Sequence, residues 1–282
     1  MNARSGGAAT RDAAASSTWL FVPGDRPERF AKAAAAQADQ VIIDLEDAVS
    51  PDAKDGARRA AVRWLRDGHE SWVRVNAPGS PWYDRDVSAI GGLAGLRGIV
   101  VPKAEKVSDL RALAVRVASY VQLIGLVESA GGVLHAAALA RCEAVARLAF
   151  GAVDFALDID ADETDEALLL AREALVVASR AARKPPPLDS VTTSLAPGAA
   201  ASDARRARAL GFGGKLLIHP AQVGPVAEAF RPTDVQVRWA RGVLDAAGRA
   251  ANGAVGKDGQ MLDRPVVDRA RRIVERAAGP HR

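Results

Sequence analysis

The sequence predicts an α/β chain, a (β/α)8 (TIM) barrel with a C-terminal helical extension. Three observations carry that expectation. Eight short aliphatic runs recur between Thr18 and Ile218, separated by helical patterns. The runs are apolar throughout rather than alternating, as in a parallel sheet covered on both faces. Residues capable of chemistry collect at the carboxyl ends of the runs, where barrels carry theirs. An open doubly wound sheet is the competing arrangement. It calls for a glycine-rich dinucleotide loop after the first strand, and Pro23-Gly24-Asp25-Arg26 is not one.

Residues 1–17 read as a disordered tail, small and polar, with a weak likeness to a transit peptide. Without an apolar stretch in it, a secretory signal is not expected, and the chain is read as cytoplasmic. The barrel is expected over residues 18–225. Thr18–Val22 is its first strand, and Pro27 to Gln37 reads as a helix with Phe30 on its apolar side. Val41–Asp44 is the second strand, closed by Leu45-Glu46-Asp47, with Lys54 to Arg66 helical. Trp72–Val75 ends at Asn76 before a turn-rich stretch, and Gly98–Val101 ends at Pro102-Lys103. Ser108 is the expected cap of a helix to Ser119. Leu123–Val127 and Arg147–Phe150 flank a helix over Gly132 to Val145, which contains the single cysteine, Cys142. Asp165 to Arg183 is a long helix, Leu188–Val191 a strand, Ser202 to Leu210 a helix and Lys215–Ile218 the last strand. Residues 226–282 form the extension, read as a lid or oligomerisation segment or as helices docked on their own barrel. It holds a helix over Pro232 to Ala247, a glycine-rich stretch from Asn252 to Gly259 and an amphipathic helix over Arg264 to Ala278.

Composition narrows the function. A net charge of +4 with Lys and Arg scattered among Asp and Glu, and no aromatic-interleaved basic stripe, argues against nucleic acid. No apolar run approaches the length of a membrane span. One cysteine excludes an internal disulfide and a thiolate metal cluster.

Two strand-end acids stand out. Glu128 closes Leu123–Val127, and Asp154 lies in the Gly151-Ala152-Val153-Asp154 turn after Arg147–Phe150. Each alone reads equally as the cap of a following helix. Two carboxylates on neighbouring parallel strands form the better match to an oxygen-ligand site for a hard cation such as Mg²⁺, with Mn²⁺ as the alternative. Arg74 is a charge in an apolar strand, costly unless paired. It reads either as a binder of an anionic substrate or as the partner of Glu46 or Asp47. Lys103 is either solvated or part of the mouth. His219 suits a structural role slightly better than acid–base chemistry, and Asn76 can cap a turn.

Seven segments stand in a telling order: LFVPGDRPERF, VIIDLEDAV, VRVN, VPKAE, GLVESAGGV, GAVDFALD and GGKLLIHPAQV. Together they resemble the citrate lyase β-subunit-like branch of the HpcH/HpaI aldolase family, whose members include malyl-CoA and citramalyl-CoA lyases. The resemblance runs from about Trp19 to the end of the chain. It implies a barrel that uses Mg²⁺ to cleave a β-hydroxyacyl-CoA thioester into a 2-keto acid and an acyl-CoA. It implies Glu128 and Asp154 as the metal ligands. Arg74 would hold the substrate's carboxylate or keto oxygen, and Glu46 and Asp47 would order water at the metal. Asp263, in QMLDRPVV, would reach a neighbouring subunit's site and donate a proton. Arg26, Asn76, Lys103 and His219 would contribute to the substrate and CoA side of the mouth. A homo-oligomer, trimer or hexamer, is implied as well. Two departures bear on the substrate: Val153 stands where many relatives have an acid, and Ser194 where an aspartate often follows threonine. A CoA-independent keto-acid aldolase, a thioesterase- or synthase-like enzyme and a non-catalytic acyl-CoA- or keto-acid-binding subunit are the alternatives.

Overall fold

The computed structural model describes residues 13–249, 255–257 and 260–278. Eight parallel strands close into a barrel in sequential order: β1 (Thr18–Pro23), β2 (Gln40–Asp44), β3 (Ser71–Arg74), β4 (Leu96–Val101), β5 (Gln122–Val127), β6 (Val145–Phe150), β7 (Leu188–Asp189) and β8 (Gly214–Leu217). Closure rests on β1 beside β8, with Trp19 opposite Leu216. Between strands run α1 (Phe30–Ala34), α2 (Lys54–Arg66), α3 (Tyr83–Ile90), α4 (Val107–Ala114), α5 (Ala130–Arg141), α6 (Ala152–Asp158), α7 (Asp165–Ala181) and α8 (Ala199–Leu210). After β8 come α9 (Val223–Phe230), α10 (Asp234–Arg249), a hairpin of β9 (Val255–Lys257) and β10 (Gln260–Leu262), and α11 (Arg264–Ala278). The chain divides into two compact units at Ala227/Glu228. In the smaller unit α10 and α11 pack on each other, burying Ala240, Val243, Ala270 and Ile273.

The barrel interior is filled from its amino-terminal end. Trp19 and Trp72 meet edge to face, centroids 4.9 Å apart, within a cluster that includes Ile42, Val100, Ile124 and Leu216. Such a ring pair adds about 0.5–1.5 kcal/mol beyond its buried area. Gly98 makes room for it, because a Cβ there would lie 2.3 Å from the Trp72 ring. The floor is closed by residues expected to be tail. Ala13 and Ser16 are buried, and Arg147 of β6 donates to the carbonyls of Ala13 (3.0 Å), Ser16 (2.8 Å) and Pro186 (2.6 Å). Ser16 also accepts from the indole of Trp19 and from the amide of Gln40. The disordered reading therefore fails for residues 13–17; small polar residues serve here as hydrogen-bonding fillers. Residues 1–12 lie outside the described residues.

Other expectations shift. The helix expected over Pro27 to Gln37 is a 3-10 turn, Pro27–Arg29, followed by the short α1, and Gln37 at φ +60 ends the run. The cap of α4 is Lys106, and the Ser108 hydroxyl instead bonds the Asp109 carboxylate. The same helix stops at Ala114. α5 begins two residues early, capped by the Ser129 hydroxyl on Gly132 N–H, and ends at Arg141. Cys142 is thus a buried C-cap rather than part of the helix, and Val145 opens β6. An unbroken alanine-rich composition hid that boundary. α8 starts at Ala199 rather than Ser202. α3 follows the turn-rich stretch after β3, and α6 is too short for a periodic signal. β7 pairs over only Leu188–Asp189. In the stretch Asn252 to Gly259, residues 255–257 form β9, while 252–254 and 258–259 lie outside the described residues. Among the described residues no helix is long and apolar enough to cross a membrane.

Candidate active site

The site begins with an acid that sequence reasoning passed over. Asp44 ends β2 and is buried. Its carboxylate accepts from the backbone N–H of Glu46 (2.9 Å) and Ala48 (3.1 Å), which curls the Leu45-Glu46-Asp47 turn over the barrel mouth. The register that sets Asp44 opposite Arg74 on β3 brings the guanidinium onto the same carboxylate. Nε donates to Oδ1 at 2.7 Å and Nη2 to Oδ2 at 2.6 Å. This two-pronged geometry suits arginine. Nη1 lies 3.1 Å from Glu46 Oε2 and 3.3 Å from Asp47 Oδ2, and the guanidinium sits over the Phe21 ring at 4.8 Å. The pairing of Arg74 with acids therefore holds, with Asp44 added to Glu46 and Asp47, and the residue also lines the cavity described below. Burial works against its charge, and Asp44, Glu46 and Asp47 more than offset it.

Lys54 was also missed. It is buried at the start of α2, and its ammonium donates to the carbonyls of Leu45 and Glu46, each at 2.8 Å, beside the Trp82 ring. Burial holds its pKa below the ordinary lysine value despite the acids around it. The Glu46 turn is thus fixed on one side by Asp44 and on the other by Lys54. Burial lifts Glu46 to about 8; Arg74 opposes this, and Glu128, Asp47 and Asp44 add to it. Its Oε2 is buried and makes no aligned hydrogen bond, although Arg74 stands close.

Glu128 follows β5, buried and at the mouth. Oε1 accepts from Lys103 N–H at 2.8 Å. Lys103 reaches that position with φ at +50, a left-handed conformation costly for a residue with a side chain. The same turn leaves its ammonium half exposed, 3.8 Å from Glu46 Oε1. Burial opposes the charge of Lys103, and the fields of Glu46, Glu128, Asp47 and Asp154 outweigh it, raising its pKa. Because Val127 pairs with Phe150, Gly151 lies beside Glu128. A Cβ at Gly151 would meet the Glu128 carboxylate at 2.5 Å, so glycine is what lets the acid fit. Asp154 lies not in a loose turn but in the first turn of α6, half-buried. Burial and then the negative charge of Asp154 push Glu128 up to about 7.

Arg74, Glu128, Gly151, Asp154 and Ser190 share one open recess of about 320 Å³ with Phe21, Leu126, Val153, Val191 and Leu216. Ser190 escaped notice because β7 is so short. Its hydroxyl accepts from Ala152 N–H at 3.0 Å, which leaves its proton for a ligand. Among the described residues no group of three or more His, Cys, Asp or Glu has metal-holding geometry. Two carboxylates on one recess match a hard cation that keeps waters and takes further oxygens from its substrate. The glycine cradle that seats the buried Glu128 carboxylate fits that description.

The remaining candidates fall elsewhere. Asn76 is buried, and its amide and backbone N–H both donate to Asp86 at 2.6 and 3.0 Å, so it builds the loop and is not part of the recess lining. His219 is exposed and caps a 3-10 turn, Nδ1 accepting from Ala221 N–H. Arg26 is exposed in the loop after β1. Asp189 joins Arg172 and Lys215 in a buried ionic cluster at the β7–β8 pair. Asp263 belongs to the smaller unit, where its carboxylate accepts from Val266 N–H at the start of α11.

Residues 17–220 match the family model described as HpcH/HpaI aldolase/citrate lyase. A "citrate lyase subunit beta-like protein" of Mycobacterium tuberculosis is 38% identical over 273 residues, covering 94% of this chain and 96% of the relative. An L-malyl-CoA/beta-methylmalyl-CoA lyase of Cereibacter sphaeroides is 32% identical over 299 residues, covering 92% and 93%. Among solved structures, CitE of M. tuberculosis in complex with magnesium, acetoacetate and coenzyme A superposes with a TM-score of 0.82 at 36% identity, covering 94% and 99%.

Proposed function

Because this chain belongs to the HpcH/HpaI aldolase/citrate lyase family, we propose that it is a Mg²⁺-dependent carbon–carbon lyase. Its substrate is a β-hydroxyacyl-CoA thioester of the malyl, citramalyl or citryl type, cleaved to a 2-keto acid and an acyl-CoA. The observation that carries this reading is that Arg74, Glu128 and Asp154 face one recess. Glu128 and Asp154 are the residues that would hold the ion. Bound there, Mg²⁺ supplies Lewis-acid stabilisation of charge on the oxygen that becomes the keto group.

The protein's own groups do the rest. Arg74 has three of its five N–H groups bonded to Asp44 and Asp47 and lies beside Glu46, and we assign its remaining N–H groups to the keto-acid oxygens. Asp44 and Lys54 hold the turn that keeps Glu46 and Asp47 beside it. In cleavage the hydroxyl gives up its proton, and its carbon becomes the keto carbon. The bond to the thioester's α-carbon breaks with its electron pair moving to that carbon, which takes up a proton. Asp263 of a neighbouring copy is the donor we assign to that last step, and this requires a homo-oligomer, a trimer or hexamer. We assign Arg26, Lys103 and His219, all exposed near strand ends, to the CoA side.

Purified chain with Mg²⁺ is expected to release a keto acid from malyl- or citramalyl-CoA, followed by trapping the keto acid as its hydrazone. EDTA is expected to stop the release and added Mg²⁺ to restore it. Full turnover in EDTA would overturn the reading.

A further inference from the structure

Resting on the reading that Asp154 holds Mg²⁺, we propose that Ser190 and Lys215 are positioning residues for that carboxylate. They act through a buried ionic cluster that the chemistry at the mouth does not itself use. Strand register builds the cluster. Asp189 ends β7 opposite Lys215 on β8, and the ammonium meets one carboxylate oxygen at 3.2 Å. Arg172, reaching in from α7, takes the other oxygen at 3.1 Å. All three side chains are buried, and none lines the recess. Taking charges out of water is expensive, and a buried ionic cluster often adds little net stability. What two cations on one carboxylate do fix is direction.

Two lines run from the cluster to Asp154. The Lys215 ammonium also donates to the Ser190 carbonyl, and the Ser190 hydroxyl accepts from Ala152 N–H at 3.0 Å. Ala152 opens α6, and Asp154 stands in the same turn. The Arg172 guanidinium lies over the Phe150 ring at 5.6 Å, and that ring packs on Phe155 with centroids 5.5 Å apart. The residues on both sides of the turn are thereby gripped. The far end of α6 is tied separately, because the Asp158 carboxylate accepts from Ala130 N–H at 2.7 Å, just beyond Glu128. With that end fixed to the segment that carries Glu128, a tilt of the first turn is the motion that would carry Asp154 away from Glu128. The Ser190 bond opposes that tilt. Mg²⁺ demands near-ideal octahedral geometry, so a carboxylate free to swing binds it less well.

The test is the Mg²⁺ dissociation constant of the full chain, measured by calorimetry and referred to folded molecules. Ser190→Ala and Lys215→Met are each expected to weaken binding by about tenfold or more, the range for residues one step removed from a metal. Ser190→Thr keeps the hydroxyl and is expected to bind like the parent. A residue that acts through Asp154 loses its effect once that carboxylate is gone. Ser190→Ala should therefore change the affinity of Asp154→Asn far less than that of the parent. An effect of equal size in both backgrounds overturns the proposal. A purely structural role would lower the urea midpoint of the metal-free protein and leave the affinity of folded molecules unmoved, and that result overturns it too. Should Lys215→Met fail to fold, Ser190→Ala, which removes a single oxygen, still decides. No Mg²⁺ binding by the parent would remove the metal reading and the proposal with it. Binding by the parent, unchanged in Ser190→Ala, would remove the proposal alone.

Discussion

The two ends of the barrel each hold an arginine, buried at the floor and partly exposed at the mouth, and they satisfy it differently. At the amino-terminal floor Arg147 donates to three backbone carbonyls, of Ala13, Ser16 and Pro186. Those acceptors are neutral and fixed by the chain. At the mouth Arg74 is held by Asp44, Glu46 and Asp47, with Glu128 and Asp154 on the same recess. The floor is a closed hydrogen-bonded assembly that does structural work. The mouth gathers more negative charge than its side chains neutralise, and burial first, then that charge, raises the pKa of Glu46 and Glu128. The proposed cation would offset that excess. Loss of a mouth acid should therefore cost activity and spare the fold, while loss of the floor arginine should do the reverse.

The largest effect is expected for Glu128→Ala and Asp154→Ala. Each should lower keto-acid release by more than the 10–100-fold typical of residues one step removed from a metal, about a thousandfold or beyond. The thermal midpoint without metal should hold steady or rise, because a buried acid is removed. A collapse of the midpoint in both variants would mean that the mouth is structural after all.

Next comes Arg147→Ala, which strands the buried carbonyls of Ala13 and Ser16, removes the bond to Pro186 and opens a cavity. Urea unfolding should show a loss of about 3–5 kcal/mol, with turnover per folded molecule little changed. Deleting residues 1–17 should weaken the barrel in the same manner. If that deletion leaves stability untouched, the floor contacts carry no weight.

The contrast also separates what the sequence made legible from what it hid. Strand ends announce themselves by an abrupt change from aliphatic to charged, so Glu128, Asp154, Arg74 and the Glu46-Asp47 pair could be read directly. Asp44 was absorbed into its strand, although an acid one step inside a strand end, level with an arginine on the next, is a readable signal. Lys54 lies on the buried face of α2 with Ala57, Arg58, Ala61 and Leu65. A charge on that stripe was the available clue. Arg147 and residues 13–17 depend on barrel closure, which joins segments more than a hundred residues apart, and no local pattern marks them; Ser190 follows a strand that pairs over only two residues. Asn76 misled because a polar residue at a strand end serves equally to tie a loop, here to Asp86.

A smaller effect follows from Glu46. Its folded pKa is near 8, against 4.5 for the free side chain. Between those values the folded state keeps a proton that the unfolded chain has released. Stability from this group is therefore full below about pH 4.5 and declines as pH rises, at up to about 1.4 kcal/mol per unit, levelling off above about 8. Glu46→Gln should flatten the decline measured by urea unfolding from pH 5 to 8.5. An unaltered slope would locate the proton elsewhere.

The most delicate comparison is how the mouth binds its ion. Glu128 must lose its proton to act as a ligand, and its pKa stands near 7. Apparent Mg²⁺ affinity should then be level above pH 7 and weaken about tenfold per unit below it. The cause can be tested as well as the slope. After burial, the charge of Asp154 is the main influence raising Glu128, so Asp154→Asn should move the break toward lower pH while weakening binding overall. Calorimetry on both proteins at pH 5.5, 6.5, 7.5 and 8.5 reads break and depth separately. A common break point would leave burial alone responsible for Glu128. Affinity that is flat across the range would remove Glu128 from the ion altogether, and with it the contrast between a mouth that waits for charge and a floor that does not.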